Sequence, residues 1–215
     1  MMLADTATPT FRALAAERLR SEPPGWLELP SNPRGDHTLD PEPVLPFVAG
    51  GPPRAAAVLV PVVLHEDEPA ILFTERSTGL REHSGQIAFP GGKMETNDPS
   101  PLVTALREAH EEIGLDPGAV TPIGYLDAYL STTNYLILPV VGLVRPPLAL
   151  ALNPGEVASA FEVPVRFLMD PGHHQLHSKE WKGRERRYYA MPYGERYIWG
   201  VTAGIVRNLY ERLYR

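Results

Sequence analysis

The chain contains 215 residues, of which 43% are hydrophobic and 21% are charged, and its formal net charge is −6. This size and composition predict one domain with a full hydrophobic core, and the acidic balance argues against a nucleic-acid partner, which needs clustered Lys and Arg. The absence of cysteine excludes disulfide bonds, zinc-thiolate sites and a cysteine nucleophile.

The first 54 residues are predicted to form an arm, and residues 55–215 the domain. Residues 10–20 have the pattern of a short amphipathic helix, whereas residues 21–54 are rich in proline and lack periodicity. Such a segment is expected to lie irregularly on the surface or on a partner subunit, so a homodimer is one expected arrangement. The longest apolar run, residues 55–64, is half the length of a membrane span, and the N-terminus lacks a secretion signal; both predict a cytoplasmic protein without a membrane partner.

The domain shows alternating strand and helix patterns. Residues 55–65 and 70–74 are predicted as the two strands of a hairpin joined by a polar turn. The other predicted elements, in chain order, are a strand at 86–89, a helix at 100–113, strands at 123–130 and 135–144, one or two helical turns at 164–169, a second hairpin at 177–191 and a helix at 200–214. This alternation is typical of a layered α/β (α+β) sandwich.

Residues 107–114, Arg-Glu-Ala-His-Glu-Glu-Ile-Gly, combine three carboxylates and an arginine in the predicted helix. Their spacing places Glu108, Glu111 and Glu112 on one side of the helix and an apolar stripe on the other. Like charges at this spacing repel by about 0.2–0.5 kcal/mol per pair, a cost that a bound divalent cation would reverse. The pattern therefore indicates a metal-binding surface, and its alternative is a solvated acidic face.

A glycine pair precedes this helix in the segment Phe89-Pro90-Gly91-Gly92, which is predicted to be a short strand followed by a turn. Glycine lets the backbone approach a phosphate or turn a carbonyl toward a metal. Gly91 and Gly92 are therefore candidate binding residues.

These features resemble the Nudix box, G-x5-E-x7-R-E-U-x-E-E-x-G-U with U aliphatic, which matches here at Arg107, Glu108, Glu111, Glu112, Gly114 and Leu115. The chain departs from the pattern at Pro99, which stands eight residues before Arg107 where the family has glutamate. Asp98 is the nearest acid, so the loop is one residue longer. Segments outside the box resemble the coenzyme A pyrophosphatase branch of the family, namely residues 74–77, 80–92, 131–134, 138–142 and 198–203.

The resemblance implies the Nudix fold, an α/β/α sandwich with a mixed central sheet. It also implies metal-dependent hydrolysis of the diphosphate bond of coenzyme A or its derivatives to 3′,5′-ADP and 4′-phosphopantetheine, so that the partner is a small coenzyme A-like nucleotide. Mg²⁺ or Mn²⁺ would be held by Glu108, Glu112, Glu111 and the carbonyl of Gly91, and Arg107 would orient the glutamates. Hard oxygen ligands in a chain without cysteine also favour these ions over zinc.

Three side chains outside the box complete the predicted site. The family recruits one further acid, and Glu156 is the candidate base or extra ligand; its alternative is a solvated loop glutamate. Arg76 and Arg81 are candidates to grip phosphate oxygens as planar forks, and their alternative is pairing with neighbouring acids.

Two groups of side chains have weaker signals. The basic run on the second hairpin is expected to be solvated, and the alternative hypothesis is that one of its cations binds the 3′-phosphate of coenzyme A. The basic run comprises Lys179, Lys182, Arg184, Arg186 and Arg187. His173, His174 and His177 have loose metal-ligand spacing and are expected at the surface.

Other functions stay open at this point. The same metal cluster would suit ADP-ribose or NADH as substrate. A nucleotide-binding module without turnover is disfavoured, because a binder has no need for so many mutually repelling carboxylates. An RNA-processing hydrolase is disfavoured by the acidic balance and by the lack of a basic-aromatic stripe.

Overall fold

A computed structural model of the chain describes residues 7–24, 30, 33–40, 51–78, 85–181 and 183–215. Within these ranges the main sheet contains eight strands, and β1 and β7 lie at its centre. Both central strands are apolar along almost their whole length, as expected for strands covered on two faces. The strands are β1 (Arg54–Leu64), β2 (Pro69–Arg76), β3 (Ile87–Ala88), β4 (Gly91–Lys93), β5 (Val120–Tyr125), β6 (Tyr129–Leu130), β7 (Tyr135–Val144) and β8 (Val157–Pro164).

The main sheet is mixed. Its order is β3-β2-β1-β7-β5, and β4, β6 and β8 pair with β1, β7 and β2 respectively. β1 and β7 run parallel, whereas the other pairs are antiparallel. β1 and β2 form the predicted hairpin, with Leu64 opposite Pro69.

Helices cover both faces of the main sheet. The helices are α1 (Thr8–Arg18), α2 (Pro101–Ile113), α3 (Val165–Leu168) and α4 (Gly200–Tyr214). Ala57, Leu59 and Val63 of β1 belong to an apolar cluster with α2. Val60 and Val62, which point to the other face, belong to a cluster with α1 and α4. The arrangement is an α/β/α sandwich, as the resemblance implies.

A second, three-stranded antiparallel sheet follows α3. It contains β9 (Gln175–Trp181), β10 (Arg184–Tyr193) and β11 (Arg196–Trp199) in the order β11-β10-β9. The predicted second hairpin corresponds to β9 and β10. β11 leads directly into α4, which begins at Gly200 as predicted.

The described part of the N-terminal arm packs against the domain. Phe11 and Ala15 of α1 are buried in the same apolar cluster as α4. The Arg18 guanidinium donates a hydrogen bond to the Leu213 carbonyl over 2.9 Å. These residues therefore contribute to the hydrophobic core of the domain.

The observed strands differ from the predicted ones in two respects. The single strand predicted at 123–130 is wrong, because β5 ends at Tyr125 and β6 begins only at Tyr129. The register shifts between Pro122 and Gly124, and the positive φ of Gly124 (145°) accompanies this irregularity. In addition, β4, β8 and β11 were not predicted. Gly91 and Gly92 of β4 were expected in a turn, and β8 is half-buried along most of its length and lacks a clear apolar alternation.

Among the described residues, no helix combines the length and apolar character needed to cross a bilayer.

Candidate active site

Helix α2 presents the acidic residues to the rest of the site. The Ser100 side chain accepts a hydrogen bond from the Val103 N–H, and Gly114 ends the helix in the left-handed region at φ 67°. Glu112 is only 3% exposed, although it carries a carboxylate. The Glu111 side chain is 54% exposed. The three glutamates therefore lie on one side of the helix at very different depths.

The strand β4 brings the glycine pair against these glutamates. The Gly91 N–H donates a hydrogen bond to Oε2 of Glu112 over 3.2 Å. A Cβ atom at Gly92 would lie 2.6 Å from the carboxylate of Glu108. A side chain at this point of the strand would thus displace an acidic group, and glycine permits the close approach.

Arg107 is held by a carboxylate outside the helix. Its guanidinium donates to both oxygens of Asp98, over 2.8 and 3.2 Å, and also to Glu108 (2.9 Å) and Glu111 (3.2 Å). The Asp98 side chain is 5% exposed and also accepts from the Thr104 hydroxyl. The hydrogen bonds from Arg107 are the main cause that lowers the pKa of Asp98 to about 2. Asp98 fixes Arg107, which in turn contacts two of the glutamates.

We expect Asp98→Asn to destabilise the protein by about 1 kcal/mol at pH 7, less than the full pKa shift would give because solvent reaches Arg107 and screens the pair. The folded-state pKa lies below the ordinary value of 3.8, so this stabilisation is present above about pH 4 and is lost toward pH 2. Urea unfolding between pH 7 and pH 3 measures it. The difference between variant and wild type should shrink with falling pH, and Asp67→Asn in an exposed turn should show none. A loss that stays constant with pH would show that the Asp98 charge is not its source.

Glu108, Glu111 and Glu112, here called the acidic cluster, carry more negative charge than the nearby Arg107 and Arg76 can neutralise. The pKa of Glu112 is raised to about 7, mainly by burial and to a smaller extent by the charges of Glu108 and Glu156, whereas the Gly91 N–H and Arg76 lower it. Burial also raises the pKa of Glu108. Buried carboxylates whose negative charge is not balanced by nearby positive charge are suitable oxygen ligands for a hard divalent cation. Among the described residues, however, no three acidic or histidine side chains converge in a ligand arrangement.

A cleft of about 390 Å³ lies beside the cluster. Arg76, Gly91 and Gly92 line it, and Nη1 of Arg76 lies 3.7 Å from Oε1 of Glu112. Nε of Arg76 is buried and has no hydrogen-bond partner within the described ranges. The apolar lining includes Val58, Ile87, Phe89, Ile137, Val201 and Ile205, and the polar lining includes Asp36, Ser131, Thr132, Thr133 and Thr202.

Of the two remaining predicted site residues, Arg81 and Glu156, the structure describes only Glu156. Arg81 lies outside the described residues. Glu156 is half-buried, accepts a hydrogen bond from the Asn153 amide over 3.1 Å, and is close enough to Glu112 and Glu108 to raise their pKa values. The structure thus brings Glu156 to the acidic cluster.

Arg186 of the basic run and two of the three histidines have partners outside the acidic site. Arg186 donates to Asp40 over 2.6 Å, and Lys182 lies outside the described residues. His173 and His174 are half-buried and bond the backbone carbonyls of Phe167 and Leu168, over 2.9 and 2.7 Å. A half-buried position differs from the surface position expected for these histidines.

Known proteins resemble this chain in sequence. The NUDIX domain family matches residues 53–182. "Uncharacterized Nudix hydrolase NudL" from Escherichia coli strain K12 is 40% identical over 156 residues, which cover 73% of this chain and 81% of NudL. The chain belongs to the Nudix family. The NudL of Shigella boydii matches this Nudix chain with the same identity and coverage.

Solved structures resemble this chain at lower identity. The NUDIX domain of Shewanella oneidensis NrtR, in complex with ADP ribose, is 16% identical, with a TM-score of 0.47 over 78% of this chain and 96% of that chain. The MutT protein of Methanosarcina mazei is 20% identical, with a TM-score of 0.43 over 56% of this chain and 83% of that chain.

Membership of the family defines the general reaction. The protein is a Nudix hydrolase that acts on pyrophosphate bonds of nucleoside diphosphate derivatives. Nudix hydrolases generally use divalent metals such as Mg²⁺ or Mn²⁺.

Two functional features escaped the sequence analysis. Asp98 was noted only as the nearest acid to a missing glutamate, although its hydrogen bonds to Arg107 place it beside the acidic cluster. The one-residue shift of an acid before the box was the available signal. Asp36 lines the cleft but lies in the proline-rich arm, where no motif marks it.

Proposed function

We propose that this Nudix hydrolase cleaves the diphosphate bond of coenzyme A or its derivatives to 3′,5′-ADP and 4′-phosphopantetheine. The observation that carries the proposal is the convergence of three separate segments that resemble the coenzyme A branch. Residues from 86–92, 131–133 and 199–202 all line the same cleft. Because these segments are far apart in sequence, a shared ligand gives a simple reason for their joint resemblance.

The diphosphate would lie at the end of the cleft formed by Arg76 and the glycine pair. The buried Nε of Arg76, which lacks a partner in the described ranges, supports a role in binding a phosphate oxygen. Gly91 and Gly92 line the same cleft, and the missing side chain at Gly92 lets the Glu108 carboxylate approach the strand beside it. These residues would place the scissile bond next to Glu112.

Mg²⁺ or Mn²⁺ would be held by Glu108, Glu112, Glu111 and the carbonyl of Gly91. Such an ion, when bound, supplies positive charge for phosphate oxygens and makes water a better nucleophile near neutral pH. Arg107 would orient the glutamates through its hydrogen bonds to Glu108 and Glu111.

Glu156 would act as the base that accepts a proton from the attacking water. We expect Glu156→Gln to lower kcat at least tenfold while the fold is kept, because glutamine retains an acceptor for Asn153 but cannot take a proton at neutral pH. Steady-state kinetics and thermal denaturation measure the two effects. Glu195→Gln, in an exposed turn, is the matched control. Unchanged turnover and metal dependence in Glu156→Gln would remove Glu156 from the mechanism.

Incubation with coenzyme A, ADP-ribose and NADH, each with and without Mg²⁺ or Mn²⁺, tests the function when the products are identified by mass. We expect metal-dependent 4′-phosphopantetheine from coenzyme A, formed faster than the products of the other two. Preferred turnover of ADP-ribose or NADH would keep the Nudix site and reject the coenzyme A assignment. A tight complex without turnover of any substrate would favour the nucleotide-binding module.

The cytoplasmic location and the homodimer stay predictions from the sequence. The division into an arm, residues 1–54, and a Nudix domain, residues 55–215, is likewise proposed here.

A further inference from the structure

The N-terminal arm places a carboxylate in the wall of the cleft. Asp36 opens a short 3-10 turn, Asp36–Leu39, and lines the cleft. The Tyr129 hydroxyl donates a hydrogen bond to Oδ1 of Asp36 over 2.7 Å, and Tyr129 is only 4% exposed. The carboxylate is therefore oriented by a buried group of β6.

Contacts on both sides of Asp36 fix the arm. The Leu130 N–H donates to the Arg34 carbonyl over 2.7 Å, and the Arg34 side chain pairs with Glu211 of α4. Asp40 pairs with Arg186 of the second sheet over 2.6 Å. Because these bonds reach the main sheet, α4 and β10, Asp36 belongs to a wall of defined position.

The strand order places Asp36 and Arg76 toward opposite ends of the cleft that both residues line. Arg76 is the last residue of β2, whereas Asp36 is bonded to β6, and the strands lie side by side in the order β2, β1, β7, β6. Neighbouring strands are about 4.8 Å apart, so the backbones of β2 and β6 are about 14 Å apart. A ligand that spans the cleft must be long.

The chemistry of the two ends differs. Among the described lining residues, the cations are Arg76 and Lys93, on β2 and β4. The polar lining also includes the hydroxyl groups of residues 131–133, which directly follow β6, and many of the other lining side chains are apolar. A carboxylate beside hydroxyl groups repels a phosphate and accepts hydrogen bonds from uncharged donors.

We propose that the Asp36 end of the cleft binds the pantetheine arm of coenzyme A, with Asp36 accepting a hydrogen bond from one of its hydroxyl or amide N–H groups. The nucleotide with its 3′-phosphate then lies outside the cleft, beyond Arg76. This orientation rests on the proposed coenzyme A substrate. It assigns Asp36, a residue of the arm, to the recognition of substrate.

Binding of the two product halves tests the orientation without any turnover. The dissociation constants of 4′-phosphopantetheine and of 3′,5′-ADP are measured separately by calorimetry, with Mg²⁺, for the wild type and Asp36→Ala. We expect Asp36→Ala to raise the dissociation constant of 4′-phosphopantetheine about tenfold, because a hydrogen bond to a charged group is lost. The dissociation constant of 3′,5′-ADP should stay unchanged. No change for either ligand, equal weakening of both, or failure of the wild type to bind 4′-phosphopantetheine would overturn the proposal.

Tyr129→Phe separates ligand binding from docking of the arm. It removes the hydrogen bond to Asp36 and keeps the carboxylate, so we expect a smaller loss of 4′-phosphopantetheine binding than in Asp36→Ala. Losses of equal size, with lowered melting temperatures in both variants, would show that Asp36 only docks the arm and would reject the proposal.

The orientation and the reaction can fail separately. If coenzyme A is not hydrolysed but 4′-phosphopantetheine binding depends on Asp36, the reaction is rejected and the binding assignment stands. If coenzyme A is hydrolysed with equal KM by the wild type and Asp36→Ala, the reaction stands and the binding assignment is rejected.

Discussion

Glu112→Gln is expected to lower kcat for the diphosphate substrate at least about a hundredfold. Glu112 is the most buried of the three glutamates, and its Oε2 accepts the hydrogen bond from the Gly91 N–H. Removing its charge takes away electrostatic stabilisation worth several kcal/mol when a cation is bound, and each 1.36 kcal/mol corresponds to a factor of ten in rate. Initial rates over a range of Mg²⁺ and Mn²⁺ concentrations measure the effect.

The same variant is expected to raise the stability of the metal-free protein. The folded-state pKa of Glu112 is raised from 4.5 to about 7, so folding disfavours the ionised form. The penalty is absent below pH 4.5, grows as pH rises and is complete above about pH 7, where glutamine removes about 2 kcal/mol of it. Thermal unfolding in a chelator at pH 5 and pH 8 measures this gain, which should be larger at pH 8.

Two control variants define the range of these effects. Glu111→Gln should lose less activity, because the Glu111 side chain is 54% exposed and its hydrogen bond is to Arg107. Glu185→Gln, on the exposed surface of β10, should change neither rate nor stability. Wild-type turnover in Glu112→Gln, or a stability loss at pH 8, would contradict the role assigned to this carboxylate.

Elements with strong local signals were predicted closely from the sequence. Helix α2 was predicted at 100–113 and observed at Pro101–Ile113, because an N-cap, a first-turn proline and a C-terminal glycine bound an apolar stripe within one short segment. The strand β7 and the helix α4 were predicted at their observed bounds for a similar reason, since apolar runs and periodicity are local properties.

The features that were missed depend on contacts between distant residues. Asp36 is separated by 93 positions from Tyr129, which orients it, and no pattern within the arm contains that contact. The break between β5 and β6 depends on pairing with β7. The burial of each glutamate also depends on such contacts. The helical spacing predicts on which side of the helix a glutamate lies, but not that β4 packs beside it. Local sequence thus predicted the acidic residues, and tertiary packing determined which of them is buried.

Gly92→Ala is expected to lower activity at least tenfold and to leave the fold nearly as stable as the wild type. A Cβ atom at this position would lie 2.6 Å from Cδ and from both carboxylate oxygens of Glu108. These atoms are the end of a flexible side chain, which can rotate away at small cost in stability. The rotation would remove the Glu108 carboxylate from the acidic cluster and from its 2.9 Å hydrogen bond with Arg107.

Gly91→Ala is the matched variant, and here we expect the main effect to be a loss of stability. Its Cβ would meet the Ala57 carbonyl oxygen at 2.5 Å and the Val58 Cα at 2.6 Å, and the native φ of Gly91 is 156°. Because backbone atoms of β1 cannot rotate away, we expect a loss of about 2–3 kcal/mol in the free energy of unfolding. Urea denaturation and initial rates on both variants separate the two cases. If Gly92→Ala keeps full activity, Glu108 is not required at its observed position, and the assignment of this carboxylate to the reaction fails.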